Sequence, residues 1–357
     1  MTELPLVVNA RFLTQRMTGV QRYAAEISRC LKSLAPAARF VCPRNVVAAD
    51  LAETLRAEPF GWLTGHLWEQ IELPAFLRRN GSPVLLNLAN TAPVRYIRSF
   101  LTIHDVSHLR NPNWFSFAYR TVYRILTPLA ARRAVYLFTD SLFSKAEIRE
   151  LLAIPEDKIG IIPCAVSDSL FRLSDQPLPN RYGRYALAVS SLDPRKNFER
   201  LLEAFSRLDI PDCKLVLVGG ENPIFGHSKL AHNSDNRRVV FAGYVSDPDL
   251  AALYRHALCL VYPSLYEGFG MPPLEAMAFG CPVIAANAAS LPEACGPAAV
   301  YCDPLDPGDI AAKIETVLKN EAIRNELRRK GLEQVRSFSW EQSAKEILSA
   351  IHRISGH

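Results

Sequence analysis

The sequence has no paired-cysteine motif. Its eight cysteines stand at positions 30, 42, 164, 213, 259, 281, 295 and 302, and no two of them are spaced as C-x-x-C. A disulfide framework or a zinc site usually shows such pairs or closely grouped ligands. Several of the cysteines fall in apolar stretches, so we expect buried, reduced thiols in a cytoplasmic protein.

Long apolar runs and two common enzyme motifs are also missing. No run approaches the ~20 apolar residues of a transmembrane helix. The first twelve residues carry an early acid and do not resemble a signal peptide. The motifs G-x-x-x-x-G-K-[ST] and G-x-S-x-G are both absent, which argues against a P-loop NTPase and a serine hydrolase.

What the sequence does contain is an ordinary globular composition of 357 residues, 49% of them apolar. This length favours two domains, and we place them at 1–172 and 173–339 with a hinge near 170–184. Strand and helix patterns alternate in each half, beginning with strands at Leu6–Asn9 and Tyr185–Val189. The alternation predicts an α/β protein with two doubly wound parallel sheets.

The charge is unevenly divided between the halves. Residues 1–175 carry 21 Lys and Arg against 15 Asp and Glu, whereas the remainder carries 20 against 21. The formal net charge of +5 therefore comes from the first half. We expect that half to face an anionic partner.

The most informative motif is E-G-F-G-M-P-P-L-E, which runs from Glu267 to Glu275 after an apolar strand. Gly268 and Gly270 permit turns and close ligand approach. Pro272 and Pro273 are expected to open a helix that holds Glu275 in its first turn. A helix N-terminus favours a phosphate, and Glu275 can hold a neutral polyol such as a ribose. The alternative is a strand–turn–helix with two ordinary surface acids.

A second motif, S-S-L-D-P-R-K-N-F, spans 190–198. Arg195 and Lys196 precede Asn197, which is a good N-cap for the next helix. Two cations at a helix N-terminus oppose its dipole unless an anion such as a diphosphate lies there. We expect both cations to be surface groups, and a solvated basic turn remains the alternative.

In the first half, T-I-H-D-V places His104 and Asp105 at the end of an apolar strand. A histidine in such a place is often a hydrogen-bonded structural residue. His108 completes H-D-x-x-H, but a third metal ligand with suitable spacing is missing, so we expect no metal. Upstream, Gly19 opens a helix whose N–H groups suit an anion, and Arg11, Arg16 and Arg22 surround it. A plain basic turn is the alternative there.

Two further stretches allow two interpretations each. Asp247-Pro248-Asp249 matches the D-x-D of metal-dependent transferases, but it precedes an amphipathic helix, and we favour helix capping. The stretch 119–136 combines leucines and aromatics with Arg120, Arg124, Arg132 and Arg133. Such a stretch either lies on an anionic membrane or forms an ordinary helix with one solvated face.

These motifs resemble the retaining glycosyltransferases of family 4, which have two Rossmann-like domains and are of the GT-B type. The resemblance covers most of the chain, is strongest from Ser190 to Asp309, and implies that a final helix at 340–357 crosses back onto the first domain. It implies a nucleotide-diphosphate sugar as the donor, with no other cofactor, and retention of anomeric configuration. Many relatives carry a further arginine where this chain has Ser190 and Ser191.

The resemblance also implies roles for the candidate residues. Arg195 and Lys196 would hold the donor diphosphate, Glu275 the ribose, and His104 would hydrogen-bond the donor sugar. Glu267 would hold the sugar together with the amides of the loop. The predicted catalytic residues are His104, Arg195, Lys196 and Glu267. The predicted donor-binding residues are Gly19, Ser190, Arg195, Lys196, Glu267, Gly268, Phe269, Gly270, Met271, Leu274 and Glu275.

Substrates follow less directly from the resemblance. The wording of both motifs is similar to bacterial mannosyltransferases of polysaccharide assembly, including that of lipopolysaccharide. It favours a GDP-mannose-type donor, with a UDP-hexose second, and a lipid-linked or saccharide acceptor. An anionic membrane surface, on the cytoplasmic face of the inner membrane, is an expected partner, and nucleic acid is not. A sugar-nucleotide epimerase and a non-catalytic scaffold of the same fold remain alternatives.

Overall fold

The computed structural model describes residues 5–175, 179–220 and 238–356. Residues 176–178, inside the predicted hinge, and the terminal His357 lie outside the described residues. The chain divides into two compact units: a first unit of Met1–Arg110, Thr121–Cys164 and Ser339–His357, and a second unit of Asn111–Arg120 and Ala165–Phe338. The division after Cys164 falls ahead of the predicted boundary at 172, and Asn111–Arg120 groups with the second unit.

The first unit contains a seven-stranded, parallel sheet. Its strands are β1 (Leu6–Asn9), β2 (Arg39–Cys42), β3 (Glu58–Pro59), β4 (Val84–Asn87), β5 (Ser99–Thr102), β6 (Tyr136–Thr139) and β7 (Ile159–Ile161). They lie in the order β3-β2-β1-β4-β5-β6-β7, and every pair is parallel. The central strands β1, β4 and β5 are wholly buried because helices cover such sheets on both faces.

The helices of this part of the chain are α1 (Gly19–Leu34), α2 (Ala49–Leu55), α3 (Gly65–Leu67), α4 (Leu73–Arg79), α5 (Ser107–Arg110), α6 (Phe117–Arg133) and α7 (Leu142–Leu152). A π-helical turn, Trp68–Glu72, joins α3 to α4. Helix α6 buries only Thr127, Ala130 and Ala131, whereas Val122, Ile125 and Leu129 are exposed. The apolar side of α6 therefore lies at the protein surface.

The second unit contains a six-stranded, parallel sheet. Its strands are β8 (Tyr185–Val189), β9 (Lys214–Val218), β10 (Val239–Gly243), β11 (Cys259–Tyr262), β12 (Val283–Ala286) and β13 (Ala299–Cys302). Their order is β10-β9-β8-β11-β12-β13. The helices are α8 (Asp168–Phe171), α9 (Phe198–Ser206), α10 (Asp247–His256), α11 (Met271–Ala278), α12 (Leu291–Cys295), α13 (Pro307–Lys319) and α14 (Glu321–Val335). The predicted fold class, two doubly wound parallel sheets, is confirmed.

Each sheet has one point where the strand order reverses. In the first unit it lies between β1 and β4, and in the second between β8 and β11. Loops that leave neighbouring strands in opposite directions open a crevice at the carboxyl edge, and ligands of open α/β sheets bind there. The R-K-N motif follows β8 and the E-G-F-G motif follows β11, so both lie at such a point.

The final helix, α15 (Trp340–Ser355), belongs to the first unit. Ser339 caps it by accepting a hydrogen bond from the Gln342 amide. The Trp340 ring meets the Tyr23 ring edge-on at 5.5 Å, and Ser343 Oγ donates to the Pro163 carbonyl at 2.8 Å. These contacts fix the final helix against α1 and against the segment that follows β7.

Two negative findings concern only the part of the chain that the structure describes. All eight cysteines are free thiols, and seven of them are buried. Among the described residues, no helix has both the length and the apolar character to cross a membrane.

Candidate active site

Three buried side chains meet at the strand-order reversal of the second unit. The Lys196 ammonium lies 2.5 Å from Glu267 Oε1 and 2.9 Å from the Tyr262 hydroxyl. The Tyr262 hydroxyl donates to the same Oε1 at 2.8 Å. Lys196 comes from the loop after β8, Tyr262 ends β11, and Glu267 follows in the next loop. Pairing of β8 with β11 therefore brings together residues that lie 71 positions apart.

The expectation that Lys196 is a surface group is wrong. Its side chain is only 8% exposed, as is that of Glu267. Burial alone would raise the pKa of Glu267, but the charges of Lys196 and Arg195 hold that pKa below its ordinary value. The ion pair makes the burial of both groups tolerable, because each compensates the desolvation of the other.

Arg195 pairs with Asp193, a buried acid of the same motif that was not among the predicted site residues. Its Nε lies 3.3 Å from Asp193 Oδ1, and the Asp193 side chain has no exposure. Ser191 Oγ donates to Asp193 Oδ2 at 2.8 Å. The Arg195 carbonyl accepts from the Leu265 amide at 2.7 Å, which ties this loop to the loop after β11. The Arg195 side chain stays 15% exposed.

Asn197 occupies the N-cap position of α9 but does not cap it with its side chain. Its backbone is left-handed, with φ of 63°. Its Nδ2 instead donates to the carbonyls of Pro263 and Pro304, at 3.0 and 2.6 Å. The side chain joins the R-K-N loop to two other loops at the carboxyl edge of the sheet, and those long-range bonds replace the predicted cap.

Glycines allow the close backbone approaches around this edge. Gly270 precedes α11 with φ of 114°, and a Cβ there would lie 2.7 Å from Leu291. Gly219, after β9, has φ of 132°, and its Cβ would lie 1.7 Å from the Ser190 carbonyl oxygen. Only glycine fits either position. Ser190 is half-buried. It begins the loop after β8 and also lies against the loop after β9.

The loop 267–270 is held in place by contacts with Ser290 and Phe338. Ser290 Oγ lies 2.9 Å from the carbonyl oxygens of both Glu267 and Phe269. The Phe269 ring packs edge-on against Phe338 at 5.4 Å. Met271 and Leu274 begin α11, and Leu274 is buried. Sequence reasoning did not identify Ser290, because it lies 23 residues beyond Glu267 and contacts the loop through backbone carbonyls.

Glu275 does not lie in the first turn of its helix, as the proline positions had led us to expect. Helix α11 begins at Met271, before the prolines, so Glu275 falls in the second turn. The carboxylate is buried, and the Tyr254 hydroxyl donates to its Oε2 at 3.0 Å. Tyr254, on α10, joins Ser290 as a residue of the candidate site that the sequence motifs do not reveal.

In the first unit, His104 is buried at the end of β5, with oxygen acceptors on both ring nitrogens. Nδ1 lies 2.8 Å from Asp140 Oδ2, and Nε2 lies 3.1 Å from the Leu88 carbonyl. Oxygen acceptors beside both nitrogens favour the charged form, in which each nitrogen carries a proton. Burial lowers the pKa of His104, but the charge and hydrogen bond of Asp140 outweigh it and raise that pKa. The Tyr23 ring packs edge-on at 4.6 Å.

Of the arginines near Gly19, Arg11 is committed elsewhere. Gly19 is exposed and begins α1. Arg11 is buried, with Nε 3.1 Å from Glu69 Oε1 and Nη2 donating to Thr91 at 2.8 Å. Although burial opposes ionisation, Arg11 and His66 lower the pKa of Glu69 to about 2. This network fixes the loop after β1. Arg11 therefore has a structural role in that loop.

The two possible metal motifs take other forms. Among the described residues, no group of three or more His, Cys, Asp or Glu side chains is placed to hold a metal ion. At the D-x-D motif, Ser246 caps α10 by accepting from the Asp249 amide at 3.3 Å and donates to Asp249 Oδ2 at 2.7 Å. Arg181 pairs with Asp249 Oδ1 at 3.0 Å. Asp247 and Asp249 lie in the first helical turn.

Comparison with known proteins decides the family. The family described as "Glycosyl transferases group 1" matches residues 172–334. "O-antigen chain mannosyltransferase B" of Escherichia coli is 32% identical over 276 residues, which cover 72% of this chain and 71% of that protein. This chain belongs to the group 1 glycosyl transferases.

A further relative and a solved structure are also similar to this chain. "Serotype-specific mannosyltransferase WbdA" of Escherichia coli is 32% identical over 62% of this chain, which spans 29% of that longer protein. The crystal structure of Anabaena Alr3699/HepE in complex with UDP and glucose superposes with a TM-score of 0.71 at 18% identity, covering 98% of this chain and 99% of that one. The GT-B fold and the glycosyltransferase activity implied by the resemblance are confirmed.

Proposed function

We propose that this glycosyltransferase is a retaining mannosyltransferase that uses GDP-mannose in the biosynthesis of a surface polysaccharide. The acceptor is a lipid-linked or saccharide chain. Two relatives at 32% identity are described as mannosyltransferases, which supports the sugar. The observation that carries the site is the buried Lys196–Glu267 pair at the strand-order reversal of the second sheet, with Arg195 next in sequence and paired with Asp193.

The residues of the second unit suit a nucleoside diphosphate sugar. Lys196 and Arg195 receive the diphosphate, and the positive end of α11 adds to their field. Glu267 and the amides of Gly268, Phe269 and Gly270 hold the sugar. As the bond to the sugar breaks, negative charge grows on the departing diphosphate and is stabilised by groups already in place. Ser190 and Met271 border this site, and Glu275 holds the ribose.

Departure of the diphosphate in this scheme uses protein cations and needs no metal ion. Turnover should therefore continue in excess chelator. The matched variant is Asp249→Asn, which we expect to lower stability slightly through the α10 cap and leave turnover unchanged. Strict dependence on a divalent cation, lost in Asp249→Asn, would reverse this assignment.

We include His104 and Gly19, both in the first unit, in this proposal, because the resemblance implies that these positions contact the donor. Both ring nitrogens of His104 have oxygen partners, and Asp140 favours the charged form of the ring. The resemblance places it near the sugar, and its role in turnover is part of this proposal.

We further propose that the protein works as a peripheral enzyme on the cytoplasmic face of the inner membrane. The exposed apolar side chains Val122, Ile125 and Leu129 on α6 are accompanied by the exposed Arg124, Arg132 and Arg133. This combination suits an anionic lipid surface, on which a lipid-linked acceptor would be held.

One experiment separates this proposal from its alternatives. Free nucleoside diphosphate is measured after incubation with GDP-mannose or UDP-glucose, each with and without a lipid-linked saccharide acceptor. A mannosyltransferase releases GDP in an acceptor-dependent manner. The UDP-hexose alternative, which the UDP complex of the structural relative favours, releases UDP instead. An epimerase releases nucleotide without acceptor, and a scaffold releases none.

A further inference from the structure

The buried hydroxyl of Tyr262 stands between the two charged groups of the site. It lies 2.9 Å from Lys196 Nζ and 2.8 Å from Glu267 Oε1. An ionised carboxylate only accepts and an ammonium only donates. The hydroxyl therefore donates to Glu267 and accepts from Lys196, and its direction is fixed at both ends.

This arrangement determines how the ammonium is oriented. Lys196 has three N–H donors, and among the described residues two of them have acceptors, Tyr262 and Glu267. The ammonium also lies 5.3 Å from the centroid of the Tyr262 ring. Without the hydroxyl, a lysine side chain can rotate about its single remaining partner. With the hydroxyl, the third N–H points in one direction.

We propose that Tyr262 is a positioning residue, which fixes the third N–H of Lys196 toward a phosphate oxygen of the bound nucleoside diphosphate and holds Glu267 Oε1 so that Oε2 meets the sugar. The proposal rests on the function proposed above, since it concerns how Lys196 and Glu267 are oriented within that same site.

Two features show that the hydroxyl stays a protonated bridge. Tyr262 ends β11, so the strand pairing fixes its backbone, and its side chain is buried. Burial, together with the charge of Glu267, holds the pKa of Tyr262 well above its ordinary value. The phenol is therefore neutral across the physiological range and donates to the carboxylate throughout it.

The test is Tyr262→Phe, which removes the hydroxyl and keeps the ring. The matched control is Tyr185→Phe: Tyr185 is equally buried in the same sheet and donates to the Leu253 carbonyl at 2.8 Å, but at the start of β8, away from the site. We expect Tyr262→Phe to lower kcat with GDP-mannose about tenfold or more, as for a lost hydrogen bond to a charged group. Affinity for bare GDP should fall less, and Tyr185→Phe should keep the parent kcat.

A double-mutant cycle with Glu267→Gln distinguishes positioning from general support of the fold. If Tyr262 acts through Glu267 and Lys196, Tyr262→Phe lowers kcat by a smaller factor in the Glu267→Gln background than in the parent, because one of its two partners is already changed. Full, multiplicative losses in the double variant would overturn the proposal, as would a parent-like kcat in Tyr262→Phe.

Failure of the proposed function gives a different result. If the parent protein releases UDP from UDP-glucose and no GDP from GDP-mannose, the donor assignment falls, and the same cycle on UDP-glucose decides the role of Tyr262. If the parent binds neither GDP nor UDP in a titration, both the function and the role of Tyr262 are overturned.

Discussion

The Tyr254 hydroxyl donates a hydrogen bond of 3.0 Å to Glu275 Oε2, in the buried space between α10 and α11. The burial of Tyr254 and the nearby Glu275 charge raise the pKa of this phenol well above its ordinary value. Each carboxylate of the E-G-F-G-M-P-P-L-E motif thus accepts a hydrogen bond from one buried tyrosine, Glu267 from Tyr262 and Glu275 from Tyr254. The second pairing leads to the first prediction.

Glu275→Gln should weaken binding of bare GDP about tenfold or more, because a charged partner of the ribose is lost. Glu267→Gln should leave bare GDP affinity nearly unchanged and act on turnover. Isothermal titration with GDP measures both. Tyr254→Phe should follow Glu275→Gln in direction with a smaller effect. Equal losses of GDP affinity in the two glutamate variants would contradict the division of roles.

Lys196→Met should both stop donor use and destabilise the protein. Removing one partner of a buried ion pair costs about 3–5 kcal/mol, because the other charge is left uncompensated. Adding Glu267→Gln should restore most of the stability and none of the turnover. Denaturant unfolding and GDP release measure the two effects.

The control for that experiment is Lys319→Met, in which an exposed lysine loses its pair with Glu315 one helical turn away. Exposed pairs contribute about 0–1 kcal/mol, so this variant should resemble the parent in both measurements. If Lys196→Met is no less stable than Lys319→Met, the Lys196–Glu267 pair does not exist in the folded protein in solution.

The His104–Asp140 pair should make stability depend on pH. The pKa of His104 is raised in the folded chain above the value of about 6.5 expected in the unfolded chain. The stabilisation is therefore fully present below about pH 6.5 and is lost as the pH rises through the folded pKa. In Asp140→Asn this loss should disappear, because the shift depends on the carboxylate.

Unfolding free energies at a series of pH values above about 6.5 measure the difference. Asp157→Asn, which removes an exposed acid from the same unit, should keep the parent slope. Parallel curves for the parent and Asp140→Asn would show that His104 is not charged in the folded protein.

Replacing Arg132 and Arg133 with Ser should reduce binding to anionic vesicles. Both side chains are exposed at the end of α6, next to its exposed apolar residues. Each cation near an anionic surface contributes about 1 kcal/mol, and the attraction is screened beyond about 8 Å at physiological ionic strength. Co-sedimentation should need anionic lipid and weaken with salt.

The matched control replaces Arg328 and Arg329 on α14, in the second unit, and should keep vesicle binding at the parent level. Binding that is indifferent to salt and to Arg132 and Arg133 would return α6 to the interpretation of an ordinary helix with one solvated face.

Sequence pattern predicted the fold well because parallel sheets leave a strong signal. The buried strands are continuous apolar runs, and β1 and β8 have the predicted limits, Leu6–Asn9 and Tyr185–Val189. Local motifs also indicated which loops carry the candidate site, since Arg195, Lys196 and Glu267 follow strand ends that are visible in the sequence.

What the sequence did not reveal depends on contacts between distant segments. Tyr254 lies 21 residues from Glu275, and only the packing of α10 against α11 joins them. Tyr262 offered a faint signal as the polar end of the apolar strand L-C-L-V-Y. Asparagine is a common N-cap residue. The side chain of Asn197 instead donates to the carbonyls of two distant residues.

The buried cysteines give the chain its own record of unfolding. Burial raises the pKa of Cys42 to about 11 and those of Cys281, Cys295 and Cys302 to about 12. The reactive species toward alkylating reagents is the thiolate, so these thiols react only when their surroundings open. Cys42 lies in the first unit and the other three in the second. Alkylation followed by peptide mapping therefore measures the opening rate of each unit separately, at cysteines that the chain already contains.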